Sequence, residues 1–466
     1  MVIEQQTSSA PSQAPARLWA ALRHQLDRLP ARWRRRLLIA LAVVAYELLW
    51  TVTAFDKVNP TDLDIFFLPA AHIALAGRPL DIYTLRVGIY PNANGPLGLI
   101  PVTLAAWLAQ ALGWLGDPAL RRMLVFAICA PFPLLVGWEA ARAVDRFGPP
   151  LRGAARALLW LPIVLSPLLW LDALYYGHIE QSIVVWLALA ATRLIADTRY
   201  LRGGALLGLA LLARSDATLL ILALGLTLLV WRRWRGAALV LLAAGAMLLL
   251  GLAPFLLADG RDVIFSLFSF RGALPVGGGD LWGISGAPMF IAIAQHFDAL
   301  FTLLVAALLV LFAHIAHSDL DLNMPDIYGL LALASFCFAL LIKTLWPYYF
   351  LESALFATVW ALASVPRHGG AFGAITRREW LAWVALWLAP LAITTCAIVA
   401  EIGLESDNYA GWVAPWIRVN IICELLTLAI CFAALVGGRW ARGVAGSADA
   451  RRGILPESAS GAAIKG

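Results

Sequence analysis

Twelve mostly apolar stretches divide this chain, and arginine is spread unevenly over the segments between them. A bilayer demands helical segments of about 20 apolar residues, because no water is available in its core to satisfy backbone N–H and C=O groups. With 61% of 466 residues hydrophobic and only 14% charged, a water-soluble domain would expose more apolar surface than it could cover. The composition therefore predicts an all-α polytopic membrane protein. The formal charge of +6 requires no nucleic-acid partner, since arginines flanking membrane spans produce it and no lysine-rich or aromatic-interleaved basic tract is present. Cys129, Cys337, Cys396, Cys423 and Cys431 all sit in apolar stretches without CxxC spacing. They read as small packing residues, not as a disulfide framework or a thiolate metal site.

The first expected span is Leu37–Phe55, preceded by a Ser/Pro/Ala/Gln-rich then basic tail over residues 1–36. It is too long for a signal-peptide core and has no small-residue cleavage site. Further spans are expected near 121–142, 155–173, 181–197, 203–215, 217–231, 237–258, 297–316, 327–345, 347–365, 380–400 and 413–437. The stretch 96–114 is apolar enough to be a thirteenth, but orientation decides against it. If it lies on the outer surface, Arg142, Arg146, Arg152, Arg156, Arg193, Arg199, Arg202, Arg232, Arg233, Arg235, Arg367, Arg377, Arg378 and both tails share one side, as the positive-inside bias requires. The organisation expected is a single transmembrane catalytic domain over 37–437, with a first outer loop at 56–120, a second at 259–296, and a C-terminal tail at 438–466. Both termini would be cytoplasmic, in the bacterial inner (plasma) membrane. No internal repeat is visible, which speaks against the duplicated architecture common in secondary transporters.

Asp62-Leu63-Asp64-Ile65-Phe66, Ala70-Ala71 and Gly77-Arg78-Pro79-Leu80-Asp81-Ile82-Tyr83 together resemble the first outer loop of bacterial glycosyltransferase family 87, mannosyltransferase-type membrane enzymes of the GT-C class. Tyr90-Pro91 followed by Pro96-Leu97 is similar to that family's Tyr-Pro-Pro step into a membrane-surface helix. Gly177-His178-Ile179-Glu180-Gln181 stands where the family has Gly-Gln, and Gly204–Ala210 leading to Arg214 stands where it has a Gly-Leu-Ala span ending in Lys-Pro. The resemblance runs over roughly residues 37–235 and returns at Trp346-Pro347-Tyr348-Tyr349. Three departures bear on sugar specificity: Arg214-Ser215 for Lys-Pro, Asn92 for the second proline, and His178 for glutamine.

The resemblance implies a GT-C fold and an aspartate general base in the loop after the first span, with Asp62 in the matching register and Asp64 and Asp56 as the other candidates. An ionised carboxylate can take a proton from an acceptor hydroxyl within hydrogen-bond reach. The alternative is that both aspartates cap the next helix or face water. His178 and Glu180, after Tyr175-Tyr176, are candidates to bind the acceptor, orient the base or hold a divalent ion, or they belong to an interfacial aromatic belt. Arg214 either binds a donor phosphate in bidentate fashion or pairs with Asp216. Lys343, with Tyr348 and Tyr349, is a second phosphate candidate or a snorkelling lysine. Arg271, in the second outer loop, is a phosphate or acceptor contact or a solvated charge. The function implied is inverting transfer of a hexose, mannose by family default, from a polyprenyl-phosphate donor to a lipid or glycan acceptor at the outer face. Arabinofuranose or another sugar remains open, and no metal is indicated. The competing class is a polytopic transporter or lipid-linked-sugar flippase.

Overall fold

The computed structural model describes residues 30–31, 33–34, 37–45, 62–87, 90–147, 163–164, 167–170, 177–274, 276, 282, 288–296, 299–315, 326–341, 349 and 351–363. Two compact units are present, Met1–Trp50 and Thr51–Gly466. In the first, residues 37–45 are helical, at the start of the first expected span. The rest of that span up to Phe55 lies outside the described residues, as do most of 155–173 and all of 380–400 and 413–437.

The second unit opens with five residues, Leu63–Phe67, whose backbone bonds reach one residue further than in an α-helix. Helix α1 (Leu68–Leu75) continues directly from them. A minimal antiparallel ribbon follows, β1 (Arg86–Val87) with β2 (Tyr90–Pro91), Val87 opposite Tyr90. Among the described residues everything else of length is helix: α2 (Pro96–Ala111), α3 (Pro118–Cys129), α4 (Pro131–Phe147), α5 (Ile179–Ala196), α6 (Tyr200–Ala213), α7 (Ala217–Val230), α8 (Trp234–Ile264), the shorter Pro288–His296, α9 (Ala299–Ile315), α10 (Asp326–Leu341) and α11 (Leu351–Ala363). Among the described residues the all-α expectation therefore holds.

Among the described residues, three stretches are long and apolar enough to cross a membrane, namely Pro118–Arg146, Ile179–Ala196 and Trp234–Ser269. The last supplies the clearest physical argument. Leu242, Leu249, Leu250 and Leu257 are 63–88% exposed along it. A stripe of bare leucines that long would be a severe liability in water and is at home against lipid tails. Helices α6 and α7 have 14 residues each, about 21 Å at 1.5 Å per residue. That is less than the roughly 30 Å hydrocarbon core. They stop short because the chain turns extended at Arg214 (φ −156°, ψ 138°).

Helix α6 packs against both α5 and α8, and α2 against α1, α3 and α6. The 18 residues of α5 span about 27 Å, with His178 and Glu180 at one end and Arg193 at the other. Around Arg193 the arginines gather as expected: Glu139 takes Arg193 (3.0 Å) and Arg142 (3.0 Å), and Arg146 pairs with Asp197. The polar site and the arginine cluster thus occupy opposite ends of one span.

Helix α2 has 16 residues and contains Pro101; its length does not set it apart from the 14-residue α6 and α7, so its orientation is decided by labelling. A cysteine-free chain carrying a single cysteine at Gly116, which is exposed, is expected to react with a membrane-impermeant thiol reagent from outside. One at Gly148 is expected to react only after permeabilisation. External labelling at residue 148 would show that α2 crosses the membrane.

Candidate active site

Asp62 and Asp64 are two residues apart at the start of one helical segment, which sends their side chains to opposite faces. That separation gives them different partners. Asp64 accepts from Arg121 Nη2 at 3.2 Å and from Arg122 Nη2 at 2.6 Å, and Arg122 is only 4% exposed. Asp62 Oδ2 lies 2.9 Å from His178 Nε2, and His178 Nδ1 lies 2.7 Å from Glu180 Oε1. One aspartate is held by two cations; the other shares one imidazole with a second carboxylate.

Both imidazole nitrogens therefore face carboxylate oxygens. A lone pair pointed at a carboxylate is repulsive, so with both acids ionised each nitrogen carries a proton and the ring is an imidazolium. Burial alone would lower the His178 pKa, but the Glu180 charge and the hydrogen bonds that the ring donates to Asp62 and Glu180 overcome that and push it up to about 9. Among the described residues, Asp62 and Glu180 then share one imidazolium, with Arg214 3.6 Å from Glu180 on its far side, whereas Asp64 lies against two guanidinium groups. Asp64 is thus committed to two guanidinium groups, whereas Asp62 keeps only its Oδ2 on the imidazolium and is about a third exposed.

Backbone shape brings His178 to Asp62. Gly177 has φ +84°, a left-handed conformation that suits glycine. A Cβ there would sit 2.5 Å from the Leu63 Cβ and 2.8 Å from its Cα. Glycine thus permits the chain entering α5 to lie directly on the residue that follows Asp62. The Phe67 ring meets the imidazole edge-on at 5.9 Å. Gly177→Ala is expected to cost about 2–3 kcal/mol in stability and to separate His178 from Asp62. Thermal unfolding and the His178 titration check this, and a variant with wild-type values in both would contradict it.

From Glu180 the polar cluster continues inward. Arg214 Nη1 is 3.6 Å from Glu180 Oε1, and its Nε is 2.5 Å from Asp216 Oδ2. The Arg214 side chain is 1% exposed, with Glu180 at 0% and Asp216 at 3%. Tyr349 lies with its ring centroid 5.1 Å from the guanidinium, Phe338 at 6.0 Å, and Glu352 is near enough to feel its charge. Tyr83 Oη donates to the Asn94 carbonyl at 3.2 Å, and the Gly95 N–H donates to the Ala213 carbonyl at 3.0 Å. These bonds dock the Tyr90–Pro96 turn beside Arg214. Gly98 is also close-packed, since a Cβ there would meet the Glu180 Cβ at 2.8 Å.

Of the residues expected from sequence, Asp62, His178, Glu180, Arg214 and Tyr349 come together, and Asp64 turns away to the arginines. Arg271 falls in the short helix Phe270–Ala273, its side chain outside what the structure describes; Lys343 and Tyr348 lie outside the described residues. Among the described residues no group of three or more His, Cys, Asp or Glu side chains is arranged to hold a metal ion. Sequence reasoning passed over Arg121, Arg122 and Glu352. A signal existed for the two arginines: they open an apolar stretch on the side expected to be poor in cations, where a charge pair needs a partner.

No family model matches the chain, and no curated protein matches it. Among solved structures, ArnT from Cupriavidus metallidurans bound to undecaprenyl phosphate is similar, with a TM-score of 0.48 and 15% identity, covering 90% of this chain and 81% of that one. A likeness of that depth assigns neither activity nor substrate.

Proposed function

We propose that this chain is a membrane glycosyltransferase of the GT-C type. It transfers a hexose, mannose by the family resemblance, from a polyprenyl-phosphate donor to a lipid or glycan acceptor at the outer face of the inner membrane. The observation that supports this best is the division of labour between the two aspartates. Asp64 is neutralised by Arg121 and Arg122, while Asp62, about a third exposed, sits at the mouth of a buried polar cluster with a net excess of acid.

In the proposed reaction Asp62 takes the proton of the acceptor hydroxyl as that oxygen attacks the sugar carbon. The carbon–oxygen bond to the lipid phosphate breaks in the same displacement, with inversion. Lipid phosphate leaves as a stable anion, so no general acid is needed. Nucleotide sugars are absent outside the cell, which makes a lipid-linked sugar the fitting donor. Lys343 and Arg271 are the proposed contacts for the leaving phosphate, and Tyr348 and Tyr349 line the sugar or prenyl chain. Arg214 joins the phosphate contacts only if a bound donor draws it from its carboxylates.

The direct test is incubation of purified protein with radiolabelled polyprenyl-phosphate-mannose and membrane lipids. A new labelled glycolipid, absent with Asp62→Asn, is expected. Movement of the intact lipid-linked sugar across vesicles without transfer would identify a flippase instead.

A further inference from the structure

Resting on the reading of Asp62 as base, we infer that His178 and Glu180 form a positioning pair for it: Glu180 braces the imidazolium, which fixes the Asp62 carboxylate through Oδ2 and keeps it in register with the acceptor. Three observations converge on this. The contacts run in series, 2.9 Å from Asp62 to His178 and 2.7 Å from His178 to Glu180. Burial deepens along the series, from about one-third exposure at Asp62 to 9% at His178 and none at Glu180. Glycine at 177 is what lets the ring reach across to the first outer loop.

A loop aspartate on its own would sample several rotamers, and a base must sit within about 3 Å of the proton it removes. Clamping one oxygen from a rigid helix removes that freedom. An imidazolium does this better than a neutral amide, because the hydrogen bond is charge-assisted. Glu180 serves two purposes. It offsets the positive charge of the ring beside Asp62, and it keeps that ring protonated.

The groups facing His178 are Asp62 from the first outer loop, Glu180 from α5 and the Phe67 ring edge. Behind Glu180 stand Arg214, on the same carboxylate oxygen, then Asp216, while the buried Cys129 of α3 lies within range of the Glu180 charge. Because the folded pKa of His178 is raised above 6.5, to about 9, the clamp is fully present below pH 6.5 and is lost as the pH climbs through 9. Activity is therefore expected to hold across neutral pH and to fall on the alkaline side with that ionisation.

The test combines kinetics with a titration that needs no turnover. In wild-type protein, turnover should decline above about pH 9, and histidine-selective nitrogen NMR should show one ring, absent from His178→Gln, that stays protonated to that pH. Glu180→Gln should move both the kinetic limb and the ring titration down by at least about one pH unit. His178→Gln can still donate one hydrogen bond to Asp62, so it should retain more turnover than His178→Ala and lose the alkaline limb. An alkaline limb unmoved by Glu180→Gln, or a His178 ring that titrates near 6.5, overturns the inference. Equal turnover in His178→Gln and His178→Ala does so too. The two readings fail separately: an active Asp62→Asn enzyme removes the base assignment, whereas an inert Asp62→Asn with unaltered His178 and Glu180 variants removes only the positioning pair.

Discussion

Asp62→Asn is expected to lower turnover by at least about 100-fold while leaving the protein folded and donor binding intact. The amide keeps the size of the carboxylate and can still hydrogen-bond to His178, so it removes the proton-accepting charge and little else. Asp64→Asn predicts the reverse profile. It deprives Arg121 and the buried Arg122 of their counter-charge, so stability should fall, with turnover of the surviving folded fraction much closer to wild type. Turnover with labelled donor and thermal unfolding, measured on both variants, decide the matter. If Asp64→Asn is inert but well folded and Asp62→Asn is active, the base is Asp64.

Arg214→Ala is expected to be the most destabilising single change at the site, at about 3–5 kcal/mol, because it strands buried Glu180 and Asp216 carboxylates without their cation. Removing both charges, in Arg214→Ala with Asp216→Ala, should recover part of the loss. Arg214→Lys should do worse than charge alone predicts, since an ammonium cannot bridge Asp216 and Glu180 while lying against the Tyr349 ring. A role on the donor phosphate adds a separate signature, a raised apparent donor Michaelis constant in the folded fraction of each variant. Unchanged donor kinetics with lost stability would confine Arg214 to holding the acidic cluster together.

What the sequence determined by itself is the class of molecule, a helical membrane protein, and which polar residues stand at the ends of its apolar stretches. Apolar length and arginine placement are properties of single segments, and the bilayer reads them one segment at a time. Helices were therefore legible at 121–142, 181–197, 203–215, 217–231 and 237–258, and the Arg142, Arg146 and Arg193 cluster was legible with them. His178, Glu180 and Arg214 stood out as polar groups at the ends of apolar spans, where a charge calls for a partner, and Asp62 stood out through its register in the family resemblance.

Which partner each would find was a matter of tertiary structure. Asp62 and His178 are separated by 116 positions, and no local pattern states that one aspartate meets an imidazole while its neighbour meets two arginines. That outcome follows from the opposite faces of one helix turn, and from a glycine whose left-handed backbone lets α5 close onto Leu63. Of the acidic surroundings of Arg214, the local pair with Asp216 was open to sequence reading, but Glu180 and Glu352, which come from two other helix ends, were not. Charge–charge energies depend on separations of a few ångströms and on the water excluded between them. Only the packed bundle sets those distances, and so only the packed bundle separates a candidate base from a structural ion pair.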